Sequence, residues 1–206
     1  MCKQASRIPL FQCSGPYDLT MSSEKKFIWF QVAKVGTRTI LNHLRENQVH
    51  LDVDDGYKLY YCPALYKDYF KFAFVRNPWD RLVSCWINRV LDRNYFNFSP
   101  PEHERMKKFE NFVEYVGGFN IDDCNRHFRL QRNLIDTPHL DYVGRLENFA
   151  DDFREICRHL NIKCDAVASQ NVSADRKSYR DYYTPDLRER VFQIYQKDIQ
   201  TFGYHF

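Results

Sequence analysis

Residues 27–39 read Phe27-Ile28-Trp29-Phe30-Gln31-Val32-Ala33-Lys34-Val35-Gly36-Thr37-Arg38-Thr39. The first six are almost continuously apolar, which is typical of a strand buried inside a sheet. After residue 39, Ile40, Leu41 and Leu44 recur at helical spacing. The stretch therefore predicts a buried strand, a short loop and a helix.

The same order of elements recurs along the chain. A second apolar run, 70–75, ends at Arg76-Asn77-Pro78, where Pro78 suits a first helical turn. Apolar positions then repeat at helical spacing from 79 to 91. We further predict helices over 103–116 and 123–134, a strand ending at 142–144, a helix over 146–160 and a last helix starting at Thr184-Pro185. This alternation predicts an α/β fold: a single domain with a mainly parallel central sheet flanked by helices.

Length and composition agree with one soluble domain. The chain has 206 residues, 44% of them hydrophobic, which excludes general disorder. We predict an irregular lead-in over 1–26 and the domain over 27–206. A net charge of +3 is too small to indicate a nucleic-acid partner, and no apolar run is long enough for a membrane span. The sequence does not indicate which oligomeric state the protein adopts.

The seven cysteines are odd in number and irregularly spaced, with no Cys-x-x-Cys pair. Their spacing therefore suggests neither a disulfide framework nor a zinc site, and we predict reduced thiols and no metal. No secretory signal is visible at the N-terminus. Together these observations favour a cytoplasmic protein.

The loop after the first strand has the features of a phosphate cradle. Gly36 permits close backbone approach, and the N–H groups of the helix start prefer an anion. Thr37 and Thr39 add hydroxyl groups, and Lys34 and Arg38 add positive charge. The loop is not a Walker A motif, because its lysine precedes its glycine. The alternative is an ordinary turn between strand and helix with solvated charges.

The second loop offers a further anion site. Arg76 lies at the carboxyl end of a strand, where α/β sheets bind ligands, and Ser84 lies two turns into the next helix. An arginine and a serine so placed can bind one phosphate. Alternatively, Arg76 forms a structural salt bridge with Asp80. For Arg81 we expect a solvated position on the helix surface.

Together, residues 32–39 and the motif Phe74-Val75-Arg76-Asn77-Pro78-Trp79-Asp80-Arg81-Leu82-Val83-Ser84 resemble the two donor-binding motifs of sulfotransferases. The likeness is greatest to the Golgi-type carbohydrate sulfotransferases and their bacterial relatives. It implies a P-loop-like sulfotransferase fold and 3′-phosphoadenosine-5′-phosphosulfate (PAPS) as donor, without an obligatory metal. In such enzymes the first motif binds the 5′-phosphosulfate and the second binds the 3′-phosphate. The donor-binding candidates are Lys34, Val35, Gly36, Thr37, Arg38, Thr39, Arg76 and Ser84.

Four further segments extend the resemblance to about residue 204: 125–131, 141–148, 178–184 and 198–204. The pair Arg176-Lys177 falls where many sulfotransferases close a loop over the 3′-phosphate, and the alternative is an exposed charged loop. His127 lies in the first of these segments. It is a candidate for a catalytic or acceptor-contacting role, or else a structural histidine on a helix face.

Sulfuryl transfer is an in-line displacement in which charge builds on the leaving phosphate oxygen, and we assign Lys34 to stabilise that charge. The resemblance implies a hydroxyl of a carbohydrate or related small molecule as acceptor. We expect residues 51–68 and 92–124 to form variable acceptor loops, with Tyr57, Tyr60, Tyr61, Tyr95 and Phe98 available to stack on a sugar. The alternatives are a P-loop-type small-molecule or nucleotide kinase, and a non-catalytic relative that binds an anion or glycan.

Overall fold

A computed structural model describes residues 12–164 and 177–206. Its contacts divide the chain into two compact units, each built from two separate segments. The first unit comprises the described residues up to Val75 and from Leu134 to 164, and the second comprises 76–133 and 177–206.

The first unit contains a five-stranded sheet. Its strands are β1 (Ser14–Ser22), β2 (Phe27–Phe30), β3 (Val53–Tyr61), β4 (Phe70–Val75) and β5 (Tyr142–Arg145). They are ordered β3-β1-β2-β4-β5. The β2/β4 and β4/β5 pairs are parallel, with Phe30 opposite Ala73 and Val75 opposite Arg145. The β1/β2 and β1/β3 pairs are antiparallel.

The predicted α/β fold class is confirmed, but the sheet is mixed and not mainly parallel. The predicted irregular lead-in is also wrong for Ser14–Ser22, which form a strand inside the sheet. The sequence did not predict the antiparallel strands β1 and β3, for two physical reasons. The β1/β3 register shifts at three places, and Asp55 and Lys58 have positive φ. These irregularities break the period-two pattern from which strands are predicted.

Two helices complete the first unit: α1 (Thr37–Glu46) and α5 (Phe149–Leu160). The rings of Phe149 and Phe153 on α5 pack against Phe74 of β4, with centroids 5.1 and 6.4 Å away. On α1, the ring of His43 meets Phe153 edge-on. Close packing also explains Gly144 of β5, since a Cβ there would lie 2.6 Å from the Phe74 ring.

The second unit is helical. It contains α2 (Pro78–Trp86), which continues as a π-helix over Ile87–Leu91, and then α3 (Pro100–Met106), α4 (Phe109–Gly117) and α6 (Pro185–Phe202). The last helix begins as predicted, because the Thr184 hydroxyl accepts a hydrogen bond from the Leu187 N–H. Much of the aromatic content lies in this core: Trp79, Trp86, Phe109, Phe112, Phe128 and Tyr195 are all buried.

Two predicted helices differ from the structure. The span 103–116 is divided between α3 and α4. The span 123–134 consists of turns and one short 3-10 helix, Gln131–Asn133. In the second case the Asn125 side chain accepts the His127 N–H. Such a local side-chain bond offers the backbone an alternative to helix formation.

Candidate functional site

The loop between β2 and α1 alternates buried and accessible residues. Val32, Ala33 and Val35 are buried, whereas Lys34, Gly36 and Thr37 are partly exposed and Arg38 is exposed. The hydroxyl of Thr37 donates to the Val32 carbonyl oxygen over 3.2 Å, so it closes the loop on itself. The buried residues thus anchor a loop whose polar groups reach the surface.

Two residues of this loop have left-handed backbone conformations. Gly36 is the N-cap of α1 with φ 85° and ψ 20°. Lys34 has φ 77°, which costs a residue with a Cβ atom about 1 to 2 kcal/mol. Strain of this kind persists where the surrounding fold imposes it and is concentrated at functional sites. The loop therefore holds its lysine in a conformation that a free peptide would avoid.

The start of α1 is suited to an anion. Its first turn has no acidic residue, and Gly36 provides no side-chain cap. The first N–H groups of any helix have no partner within the helix and carry the positive end of its dipole. The structure therefore brings Lys34, Gly36, Thr37, Arg38 and Thr39 together around a positively polarised helix start.

In the second unit, Arg76 is 7% exposed and forms a two-pronged salt bridge with Asp80. The Nε and Nη2 atoms each lie 2.8 Å from a carboxylate oxygen. The salt bridge considered from the sequence is thus present. It engages two of the five N–H donors of the guanidinium and fixes the plane of the fork. Asp80 therefore orients Arg76.

The backbone of Arg76 is held by Gln131. The Gln131 Oε1 accepts the Arg76 N–H over 2.9 Å, and its Nε2 donates to the Arg76 carbonyl over 2.8 Å. Asp198, which is fully buried, accepts the N–H groups of Gln131 and Arg132. Burial raises the pKa of the Asp198 carboxyl, and these two N–H donors oppose that rise. No local spacing in the sequence marks Gln131 or Asp198 as supports of Arg76.

Two further residues of the second sequence motif, Arg81 and Ser84, are also buried. Ser84 lies on α2 with little exposure. The prediction that Arg81 is solvated is wrong: its side chain is 1% exposed and donates to the carbonyl oxygens of Arg126 and Arg129. A planar guanidinium can bridge two carbonyls at once, which explains how a charged side chain is accommodated inside the unit.

His127 is buried and lies in a turn, so the predicted helix face is absent at this position. Its Nδ1 lies 2.8 Å from Asn125 Oδ1. Because that oxygen only accepts, Nδ1 carries the proton and Nε2 is the basic nitrogen. The ring packs edge-on against Tyr95 with centroids 4.7 Å apart. Asn125 and Tyr95 therefore fix both the tautomer and the orientation of the imidazole.

Tyr95 and Asn125, which both contact His127, also line a cavity of about 590 Å³, of which His127 itself is not a lining residue. Aromatic rings and polar side chains line it: Tyr95, Phe96, Tyr115, Phe119 and Phe128 with Asn97, Asp123, Cys124 and Asn125. Burial raises the pKa of the Cys124 thiol to about 11, so it is a neutral thiol at neutral pH. Aromatic rings with a few polar side chains among them are typical of cavities that bind small molecules.

A model of the sulfotransferase family matches residues 17–205, almost the whole chain. The chain belongs to the sulfotransferase family. The resemblance drawn from the two sequence motifs is confirmed by this match.

Three curated relatives of the sulfotransferase chain are carbohydrate sulfotransferases. Carbohydrate sulfotransferase 12 of Mus musculus is 22% identical over 200 residues, which are 79% of this chain and 48% of that protein. Carbohydrate sulfotransferase 11 of Danio rerio is 24% identical over 67% of this chain and 47% of that protein. Carbohydrate sulfotransferase 10 of Xenopus laevis is 24% identical over 66% of this chain and 47% of that protein. The chain thus spans about half the length of the curated relatives it matches. No solved structure matched it.

The remaining predictions for this sulfotransferase differ in outcome. Lys177 is exposed, and Arg176 lies outside the described residues. Of the expected acceptor loops, 51–68 contains strand β3, whereas 92–124 contributes most of the cavity lining. Tyr61 is buried, but Tyr57, Tyr60 and Tyr95 are exposed.

Across residues 12–164 and 177–206, none of the helices has the length and apolar character that crossing a lipid bilayer requires.

Proposed function

We propose that this protein transfers a sulfuryl group from PAPS to a hydroxyl group of a carbohydrate or related small molecule. The observation that carries the proposal is the β2–α1 loop, where a strained lysine and a left-handed glycine precede a helix start without acidic residues. Membership of the sulfotransferase family supports the choice of donor. The named activity of the three relatives supports a carbohydrate acceptor.

Each loop has its own role in this proposal. Lys34 and the first turn of α1 bind the 5′-phosphosulfate, as the family resemblance implies. Arg76 and Ser84 bind the 3′-phosphate, with Asp80 and Gln131 holding Arg76 in place. The family resemblance assigns Arg176 and Lys177 to the same phosphate. PAPS supplies the sulfuryl group, and no step assigned to these residues calls for a metal.

The reaction follows from the donor's charge. The acceptor oxygen forms a bond to sulfur while the bond from sulfur to the 5′-phosphate oxygen breaks, giving the sulfated acceptor and 3′,5′-bisphosphoadenosine (PAP). Negative charge builds on the leaving phosphate oxygen, so a lysine ammonium stabilises the transition state more than the ground state. Lys34 supplies that ammonium. The proton of the acceptor hydroxyl passes to Nε2 of His127.

The acceptor binds in the cavity beside His127. Tyr95 is exposed and contacts both this cavity and the histidine ring. A sugar ring stacked on Tyr95 would therefore lie near the proposed base. The amide of Asn125 and the carboxylate of Asp123 are available to bind sugar hydroxyl groups.

Calorimetry with PAP tests donor binding directly. We expect the wild type and a Lys67→Ala control to bind PAP, and Lys34→Ala and Arg76→Ala to bind it at least about tenfold more weakly. Lys67 is an exposed lysine outside both loops. ATP with Mg²⁺ serves as the competing ligand. Absence of PAP binding by the folded wild type, or ATP turnover in its place, would refute the proposal.

A panel of glycans with radiolabelled PAPS then tests transfer. Label should enter at least one hydroxyl-bearing glycan with the wild type. His127→Gln should lower kcat by roughly 10²-fold or more while leaving PAP affinity unchanged, because the base contacts the acceptor and not the donor. Binding of PAP without transfer to any acceptor would instead identify a non-catalytic, anion-binding relative.

A further inference from the structure

A cluster of two thiols and one imidazole lies in the first unit, outside the residues assigned to sulfuryl transfer. His43 is on α1, Cys157 is in the last turn of α5, and Cys164 is four residues beyond the end of that helix. Their ligand atoms lie within 4.8 Å of one another. In tetrahedral Zn²⁺ sites with bonds of about 2.0 to 2.3 Å, the ligand atoms are about 3.5 to 3.8 Å apart. A movement of about 1 Å would therefore bring all three onto one ion.

A hydrogen bond holds the His43 imidazole in one tautomer. Its Nε2 lies 2.7 Å from the carbonyl oxygen of Lys163. A carbonyl oxygen can only accept, so Nε2 carries the proton and Nδ1 has the lone pair. A metal-binding histidine ordinarily donates its other ring N–H to a carbonyl or carboxylate in this way.

Hydrogen bonds also fix the segment that carries Cys164. Asn161 ends α5 in a left-handed conformation, and the Ile162 N–H donates to the Cys157 carbonyl, which turns the chain back toward Cys157. The Lys163 N–H donates to Asn47 Oδ1, and Asn47 Nδ2 donates to the His43 carbonyl. The three side chains are thus held together before any ion arrives.

We propose that His43, Cys157 and Cys164 bind one Zn²⁺ ion. Two sulfur donors and one imidazole nitrogen are the donor set that Zn²⁺ prefers, whereas Mg²⁺ and Ca²⁺ prefer oxygen. Three protein ligands leave one coordination position for water. The ion would join α1, which follows the donor loop, to α5 and the residues after it. This site is independent of the proposed sulfuryl transfer.

Zinc titration of the reduced full chain tests the site. The wild type should take one Zn²⁺ from a chromophoric chelator, and Co²⁺ in its place should give the intense visible absorption of tetrahedral thiolate coordination. Cys164→Ser and His43→Gln should lose this uptake. Cys13→Ser should keep it, since Cys13 is half-buried like Cys164 but lies outside the cluster. Asn47→Ala should weaken binding by about tenfold, as loss of an outer support does.

Thermal unfolding provides a second readout. A hundredfold excess of Zn²⁺ over its Kd should raise the Tm of the wild type and of Cys13→Ser by about 5 °C or more, and leave Cys164→Ser unchanged. Because Cys164 is half-buried in a loop, its serine variant should fold. Failure of the reduced wild type to bind Zn²⁺ would overturn the proposal, as would binding by Cys164→Ser at wild-type affinity. A Cys157–Cys164 disulfide combined with no Zn²⁺ uptake after reduction would identify a redox pair instead.

Discussion

The side-chain amide of Gln131 is hydrogen-bonded to both backbone polar groups of Arg76, at 2.9 Å to its N–H and 2.8 Å to its carbonyl oxygen. Arg76 follows the last residue of β4, where the strand's own ladder has ended. Gln131 therefore replaces the missing strand partner, and its own N–H is fixed by Asp198. A residue 55 positions away in sequence thus determines where the candidate phosphate ligand begins.

Replacing Gln131 by alanine should destabilise the fold by about 3 kcal/mol, because two buried backbone groups lose their partner. Urea unfolding measures this loss. Gln131→Glu is the informative companion, since a carboxylate can accept the Arg76 N–H but cannot donate to its carbonyl. A protonated carboxyl can do both, so the stability deficit of Gln131→Glu should grow as pH rises through the carboxyl's titration. A deficit independent of pH would contradict the two-sided bond.

The left-handed conformation of Gly36 leads to a paired prediction with Gly203. Both have positive φ, 85° and 63°, and a Cβ atom at either would meet nothing closer than 3.4 Å. Gly36→Ala and Gly203→Ala should therefore each cost about 1 to 2 kcal/mol of stability from backbone strain alone. Only Gly36→Ala should also weaken PAP binding, because Gly203 caps α6 outside both candidate loops. Equal PAP affinity of the two variants would remove Gly36 from the donor site.

Two substitutions of Lys34 separate the effect of its charge from the effect of its backbone strain. Lys34→Ala removes the ammonium and keeps the Cβ atom, whereas Lys34→Gly removes both and suits the φ of 77°. Both variants should lower kcat by roughly 10² to 10³. Lys34→Gly should be at least as stable as Lys34→Ala, although glycine in a relaxed position is destabilising. Transfer assays and Tm measurements test the two parts separately. Lys26→Ala is the control, because Lys26 is an exposed lysine with positive φ that lies outside both candidate loops. A Lys34→Ala enzyme within threefold of wild type would refute the catalytic role.

Strong local patterns predicted the parallel half of the fold. The apolar runs gave β2 and β4, and the loops that follow them contain the motifs by which the family was recognised. The antiparallel half was not predicted, because β1 and β3 are irregular and β3 is largely exposed. Pattern analysis detects periodicity within one element, and bulges remove that periodicity.

The supports of the site were missed for a different reason. Gln131, Asp198 and the His43, Cys157 and Cys164 cluster depend on contacts between residues distant in sequence. Cysteine spacing indicated no zinc motif, but spacing carries no information about thiols and imidazoles that distant parts of the chain bring together. Such groups are found only once the fold is known.

Arg81 provides the clearest stability test of a misjudged residue. Its guanidinium donates to two carbonyl oxygens inside the second unit, at 2.8 and 2.9 Å. Arg81→Ala should cost about 3 kcal/mol, since hydrogen bonds to charged groups are strong and both carbonyls lose a donor. Arg81→Lys should recover part of that loss, because one ammonium cannot span two carbonyls as a planar fork does. Exposed Arg93→Ala should stay within about 0.5 kcal/mol of wild type. If Arg81→Ala unfolded at the same urea concentration as Arg93→Ala, the arginine would be solvated, as its place in the sequence first suggested.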